Sequence, residues 1–365
     1  MPRFSISTKS LLTSIALSFN LHSEITSIQE PPVLPSARPI ALKSHNLFIE
    51  ADWLYWKANE TGLSYALKQD GFNENKPQIM NIGSVANPKF DWESGFRLGL
   101  GCNIPYDSWD LSLIWTWNEG KAKDSQSSQE DGSPAVYPSF IHPNAYNDEN
   151  IFSCFKANSD LLIHLNMLDL DLGRQFKTGK WLSLRPHLGI RTVWIDQSYD
   201  VKYEDLYSYN LKKKKLKFVL DEYLTHMINN FWGIGIQGGL DSQWMIKGDI
   251  SIFGNLTTAL LYGVFDTSYT ESFLLKEVTD GTTLSEENNF HAGRAILDLQ
   301  MGLRWSSSFF KEKIRFLIQG GWEHHAFFSQ NQFMRFVDGQ NWGNFTQNQG
   351  DVYFQGWMGS ARIYF

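Results

Sequence analysis

Apolar side chains recur at every second position over segments of about ten residues, and this feature constrains the fold more than any other. In one segment Leu188, Ile190 and Trp194 alternate with Gly189 and Arg191. A β-strand has this period, and about ten residues are enough to cross a bilayer at a tilt. Segments of this kind begin at Leu47, Phe90, Asp110, Leu161, Trp181, Phe231, Asp249, Arg294, Ile314 and Asp351.

The connections between these segments alternate between short and long. Short turn-like links occupy Ile104–Ser108, Lys177–Lys180, Trp244–Gly248 and Ser306–Lys311. Long polar links occupy Asn59–Lys89, Glu119–Ser159, Ser198–Asn230, Asp266–His291 and Phe328–Gly350. The pattern predicts an all-β fold, a transmembrane antiparallel up-and-down β-barrel of about ten strands with short periplasmic turns and long external loops. The number rises to twelve to sixteen if the long loops hide further strands.

A soluble β-sandwich would also show alternation, but its strands are typically five or six residues long. The composition favours the membrane alternative, because 15% of the residues are aromatic, with 14 Trp and 28 Gly. Aromatic girdles around an apolar outer surface account for such a content, and a polar interior accounts for the mean hydropathy of −0.32. After the N-terminal segment no run of eighteen apolar residues occurs, so a helical span is excluded on length.

One segment changes the phase of its alternation. Leu161 and Ile163 occupy odd positions, whereas Leu168, Leu170 and Leu172 occupy even positions. We interpret the change as a β-bulge near Met167. A short buried helix is the alternative, and alternating Asp169 and Asp171 argue against it.

The N-terminus has the layout of a signal peptide. Arg3 and Lys9 precede an apolar stretch from Leu11 to Leu21, and polar, Pro-rich sequence follows. A disordered tail or a buried helix is the alternative interpretation. We predict three parts: a signal peptide over residues 1–23, a Pro-rich periplasmic segment over 24–46 and the barrel over 47–365.

The C-terminal strand has a regular face that ends on an aromatic residue. This face carries Trp357, Gly359, Ala361, Ile363 and the final Phe365. Together with the signal peptide and the strand pattern, it predicts an assembly signal for the machinery that inserts barrels into the outer membrane of Gram-negative bacteria.

Several strand segments resemble the legionella and chlamydia-type major outer membrane protein family. The likeness is carried by FIEADWLYWKANETGLSYAL at residues 48–67, LDLDLGRQF at 168–176, LRPHLGIRTVWIDQ at 184–197, WGIGIQGGLDSQW at 232–244 and ISIFGNLTTALLYG at 250–263. The resemblance implies a pore-forming protein that passes small hydrophilic solutes. Chlamydial relatives are often cross-linked through many cysteines. This chain has only Cys102 and Cys154, so a disulfide-linked coat is in doubt, and whether these two pair stays open.

Side chains that face the lumen of a barrel meet water, so charged residues on the polar face are candidates for the pore wall. These candidates are Glu50, Asp52, Asp91, Glu93, Arg97, Asp169, Asp171, Arg185, Arg191, Asp241, Arg294, Asp298, Arg304, Arg315, Glu323 and Arg362. We expect porin-like passive diffusion through a charged lumen. Ten strands are close to the size at which side chains fill the interior. A filled barrel that serves as a structural protein or adhesin is therefore the alternative.

We expect no enzymatic activity, cofactor or metal, although a barrel enzyme with a site assembled from distant strands stays open. The sequence contains no Gly-x-Ser-x-Gly elbow, no His-Glu-x-x-His pair and no Walker loop. The expected partners are outer-membrane lipid and lipopolysaccharide, the barrel-assembly machinery and small hydrophilic solutes, with a homo-oligomer left open. The net charge of −7 argues against nucleic acid.

Overall fold

A computed structural model describes residues 38–39, 47–69, 83–104, 108–128, 134–141, 150–210, 212–213, 215–275, 278–309, 314–336 and 344–365. The predicted signal peptide, and the predicted periplasmic segment apart from residues 38–39, lie outside these ranges. In the described part of the chain the secondary structure is all strand. No helix there has the length and hydropathy that crossing a membrane requires.

The strands are, in chain order, β1 (Arg38–Pro39), β2 (Leu47–Glu60), β3 (Ala66–Gln69), β4 (Gly83–Ala86), β5 (Lys89–Phe90), β6 (Trp92–Ile104), β7 (Trp109–Ser127), β8 (Val136–Pro138), β9 (Asn150–Arg174), β10 (Phe176–Lys177), β11 (Leu182–Asn210), β12 (Lys215–Lys247), β13 (Ile250–Leu275), β14 (Val278–Phe309), β15 (Ile314–Asn331), β16 (Met334–Phe336), β17 (Phe345–Gln347) and β18 (Gly350–Tyr364).

Ten long strands pair antiparallel with their neighbours and form a closed ring. The order is β2, β6, β7, β9, β11, β12, β13, β14, β15 and β18, and β18 returns to β2. At the closure the Leu47 N–H donates to the Phe365 carbonyl at 3.2 Å, and the Phe365 N–H donates to the Leu47 carbonyl at 3.0 Å. The all-β antiparallel architecture and the number of long strands are confirmed.

The prediction of long polar loops is wrong for much of their length. Strand β9 begins at Asn150, β12 at Lys215 and β14 at Val278, well before the first apolar alternation in each segment. The pairing continues because the ladder satisfies the backbone whatever the polarity of the side chains. The long segments also contribute the short strands β3, β4, β5 and β8, which with β1 and β10 pair into the same sheet of sixteen strands, while the closed ring consists of the ten long ones. We call the end with the short connections the lower end and the opposite end the upper end.

The predicted β-bulge near Met167 is also wrong. Strand β9 keeps a continuous register with both β7 and β11. Its odd-numbered side chains point into the ring throughout, from Leu161 and Ile163 to Asp169 and Asp171. The phase of the apolar pattern changes because the interior is apolar near the upper end and polar near the lower end.

Around the lower part, the outer surface of the ring is a band of exposed apolar side chains. Leu188, Ile236, Leu260 and Met301 are 63–67% exposed and point outward. Aromatic rings lie within the same surface, including a continuous set formed by Trp53, Tyr55, Trp92, Trp322 and Trp357. Lipid is the surrounding in which such a surface is stable.

Candidate functional site

A cavity of about 230 Å³ lies inside the lower part of the ring, and each of the ten long strands contributes to its wall. The alternation of strand residues produces this wall, because every second side chain points inward. Thirteen of the sixteen predicted wall residues line it: Glu50, Asp52, Arg97, Asp169, Asp171, Arg185, Arg191, Asp241, Asp298, Arg304, Arg315, Glu323 and Arg362. Their role in conduction stays a prediction.

The other three predicted wall residues lie outside the cavity lining. Asp91 is exposed at the upper end of the ring. Glu93 lies 4.0 Å from Lys121, measured from carboxylate oxygen to Nζ. The Arg294 guanidinium lies 4.5 Å from the centre of the Phe265 ring. The strand is interrupted at residue 91, between β5 and β6, so the alternation of inward and outward positions does not predict the orientation of that residue.

Arginines bridge carboxylates from different strands across the interior. Arg97 donates to Asp52 at 3.0 Å and to Glu323 at 3.1 Å. Glu323 also accepts from the Trp56 indole at 3.0 Å. The three charged side chains come from β2, β6 and β15, so the bridge ties strands on both sides of the closure.

A second bridge is centred on Arg191, which is buried. Arg191 donates to Asp169 at 2.7 Å and to Asp298 at 2.5 Å. Asp298 is also 2.8 Å from Nδ1 of His325, a residue that the sequence analysis did not assign to the wall. His325 lies two residues after Glu323 and on the same inward face of β15, and this spacing could have identified it as a wall residue from the sequence.

Nearer the lower end, Arg185 contacts Asp110 and donates to Asp241 at 2.8 Å. Arg362 donates from Nη2 to Glu50 at 2.5 Å. Asp110 was missed as a wall residue, although it lies on the polar face opposite Leu111. Because charges held in pairs cost less to enclose than isolated ones, the network stabilises a polar interior within an apolar band.

Above the cavity, three inserted segments fill the ring. We call them the plug: residues 61–69, 134–141 and 332–336. The Tyr199 hydroxyl donates to the Leu63 carbonyl at 2.8 Å, and the Tyr203 hydroxyl donates to the Tyr65 carbonyl at 2.7 Å. Phe140 packs edge-on against Tyr199 and is 2% exposed. Together with Trp56 and Phe354, which are fully buried on ring strands, these residues form an apolar layer across the interior.

Polar contacts fix the plug segments to each other and to the ring. Arg335 donates to the Ser64 carbonyl at 2.7 Å, and its Cζ lies over the Phe140 ring, 4.7 Å from the ring centre. Tyr65 donates to Asp124 on β7 at 2.8 Å. Burial, reinforced by the Asp124 carboxylate, raises the pKa of Tyr65, so its hydroxyl stays protonated and remains a donor.

The predicted assembly residues lie on one outward face of β18 and the residue that follows it. Trp357, Ala361, Ile363 and Phe365 are exposed, and Gly359 is partly exposed. Both cysteines are free thiols, Cys102 half-buried and Cys154 buried. In the described part of the chain no group of three or more His, Cys, Asp or Glu side chains is arranged to hold a metal ion.

Comparison with known proteins places the chain in an outer membrane context. The family model described as Legionella pneumophila major outer membrane protein precursor matches residues 40–364. No curated protein matches the sequence.

Among solved structures, the chain is similar to the outer membrane protease OmpT from Escherichia coli at 9% identity and a TM-score of 0.40, covering 88% of this chain and 96% of that one. A Pseudomonas aeruginosa FadL homologue has 6% identity and a TM-score of 0.25, with coverages of 88% and 90%. OmpT of Vibrio cholerae has 8% identity and a TM-score of 0.11, with coverages of 89% and 100%.

Proposed function

Because the chain belongs to the Legionella pneumophila major outer membrane protein family and is an outer membrane protein, we propose that it forms a narrow pore for small hydrophilic solutes. The observation that carries the proposal is the charged cavity to which all ten ring strands contribute. A polar interior of this kind solvates ions and small polar molecules within an apolar surrounding.

The cavity serves as the vestibule of the pore, and the plug closes it in the conformation described here. Conduction therefore requires the plug to move away from Tyr199 and Tyr203. The Tyr203 hydroxyl is one of the points that hold the plug, since it accepts from the Ser139 and Phe140 N–H groups at 3.2 and 3.1 Å and donates to the Tyr65 carbonyl at 2.7 Å.

Single-channel recording of the refolded full chain in a planar bilayer tests the proposal. We expect rare or brief openings of the wild-type protein and more frequent openings of the double variant Tyr199→Phe, Tyr203→Phe, which lacks the hydroxyls that hold the plug. Tyr262→Phe is the matched control, because Tyr262 is outward-facing and 63% exposed. Silence from all three proteins, each shown by heat-modifiability to be folded, would contradict the pore.

A filled ring that acts as a surface or structural protein is the second candidate. The observation that favours it is the apolar layer, in which Tyr65, Phe140 and Phe333 are almost completely buried between the plug and the ring. If all three folded proteins stay silent, this candidate replaces the pore.

We further propose that the protein is not an enzyme. One hydroxyl–imidazole–carboxylate arrangement lies in the cavity, where His187 is 3.4 Å from both the Thr257 hydroxyl and Asp171. These contacts are long for proton transfer, and the backbone N–H groups around them are committed to strand pairing. Backbone donors that would stabilise an oxyanion are therefore not available from that part of the wall.

The remaining partners belong to the same proposal. The apolar band is the surface for outer-membrane lipid and lipopolysaccharide. The barrel-assembly machinery would recognise the β18 face that ends at Phe365, and a homo-oligomer would form through the outward surface of the ring.

A further inference from the structure

The charges around the cavity are not evenly matched. Each carboxylate that lines the cavity lies no more than 3.4 Å from an arginine or histidine nitrogen. Every acidic group of the wall therefore has a cationic neighbour, although Arg97, Arg185 and Arg191 are each shared between two carboxylates.

Two arginines of the lining have no carboxylate partner among the described residues. Arg304 donates from Nε to the Gln319 side-chain oxygen at 2.9 Å and from Nη1 to the Gln243 side-chain oxygen at 3.3 Å. Arg315 donates to the Ser306 hydroxyl at 3.3 Å. Neutral amide and hydroxyl oxygens hold these guanidinium groups in place without neutralising their charge.

The two arginines are directed toward the same part of the lower cavity. Arg304 and Ser306 are consecutive inward positions on β14, so the Arg315 side chain that reaches Ser306 extends toward Arg304. Aromatic rings lie under both groups, with Phe253 at 5.0 Å from Arg304 Cζ and Tyr364 at 5.7 Å from Arg315 Cζ. Arg362, Asp241 and Glu50 lie close enough to Arg304 for their charges to interact with it, but neither carboxylate forms an ion pair with Arg304.

We propose that Arg304 and Arg315 form a binding site for a small oxyanion of the phosphate class at the lower mouth of the cavity. Guanidinium groups recognise phosphate oxygens through paired N–H donors, and a guanidinium group that donates to no carboxylate keeps such donors for the ligand. Arg362 is already paired with Glu50 and adds positive potential without being a direct ligand. The inference rests on the proposed function, because it assigns a class of solute to the cavity that we propose as the vestibule of the pore. The binding itself does not require an open pore.

Equilibrium titration of inorganic phosphate into the refolded full chain in detergent tests the site. We expect saturable binding by the wild-type protein and affinity reduced about tenfold or more in each of Arg304→Gln and Arg315→Gln, which remove a charge-assisted donor. Arg174→Gln is the matched control. It removes the same charge at the same end of the ring, but Arg174 packs on Trp109 and Phe176 and does not line the cavity.

The outcomes separate the site from the pore. Phosphate binding that depends on Arg304 and Arg315 but not on Arg174 supports the site, whether or not the bilayer recordings show conductance. Conductance without saturable phosphate binding by the folded wild-type protein overturns the site and leaves the pore intact. Equal weakening by all three variants also overturns the site, because it indicates a general electrostatic effect.

Discussion

The lower and upper halves of the ring have opposite polarity. In the lower half the outward side chains are apolar, such as Leu188 and Leu260, and the inward ones are charged, such as Asp169 and Arg191. In the upper half the inward side chains are mainly apolar, with buried polar groups such as Gln197 and Glu271 among them, and outward ones pair across strands, as Lys123 does with Asp160 at 2.6 Å. One set of strands therefore has lipid outside and a charged cavity inside at one end, and water outside and the largely apolar plug inside at the other.

The polarity of the side chains along a strand therefore follows what surrounds each face of the ring at that height. Strand β9 carries the exchange within a single chain segment, where inward Ile163 and Leu165 are followed by inward Asp169 and Asp171. The backbone needs no irregularity for this, because lipid and the plug are both apolar and each covers a different face.

The largest effect is expected from breaking a lower-half charge bridge. Arg191→Met leaves Asp169 and Asp298 enclosed without their guanidinium partner, which should lower the free energy of unfolding by about 3–5 kcal/mol. Unfolding by guanidinium chloride in detergent micelles measures this change in free energy. Arg294→Met is the control, because Arg294 has no carboxylate partner among the described side chains. Equal losses in the two variants would mean that the bridge contributes nothing specific.

A charge on the lower outer face should be the next most damaging change. Leu260→Arg places a guanidinium in the apolar band and should cost about 2–4 kcal/mol in lipid. Ser268→Arg, an outward position farther up the same strand, should cost about 0–1 kcal/mol. Unfolding from lipid vesicles compares them. If both variants lose the same stability, the boundary between the two halves is misplaced.

A polar group in the upper interior should have a smaller cost. Ile163→Asn buries an amide among apolar side chains and should lower the free energy of unfolding by about 1–3 kcal/mol for the unsatisfied group alone. Ile163→Val removes one methylene and keeps the site apolar, so it separates lost packing from polarity. The interior assignment would be contradicted by an Asn variant as stable as the Val variant.

The smallest effect on the purified protein is expected at the C-terminus. Deleting Phe365 removes an exposed ring and the two hydrogen bonds to Leu47. We expect nearly unchanged unfolding in detergent but a lower heat-modifiable fraction in outer membranes, since the residue is proposed to act in assembly. A normal folded fraction in cells would remove the assembly role, and loss of stability in detergent would make it a structural residue instead.

Much of the fold and part of the site could be predicted from the sequence. Alternation identified the ten ring strands and placed Arg97, Arg185 and Arg191 on the inward face. It could not identify Asp91 as exposed, because the strand is interrupted beside it. It also missed the upper strand extensions, where inward and outward residues lack the apolar contrast on which the method depends.

By itself, the sequence determined the strand period, the number of long strands and the side of each strand that lipid covers, because these depend on local alternation and on the length needed to cross a bilayer. Only the tertiary structure decided which carboxylate each arginine pairs with, that the plug fills the upper interior and that Arg304 and Arg315 are left without carboxylate partners among the described residues. Those features depend on contacts between segments more than two hundred residues apart in the chain, such as Arg97 with Glu323, and no local pattern encodes such contacts.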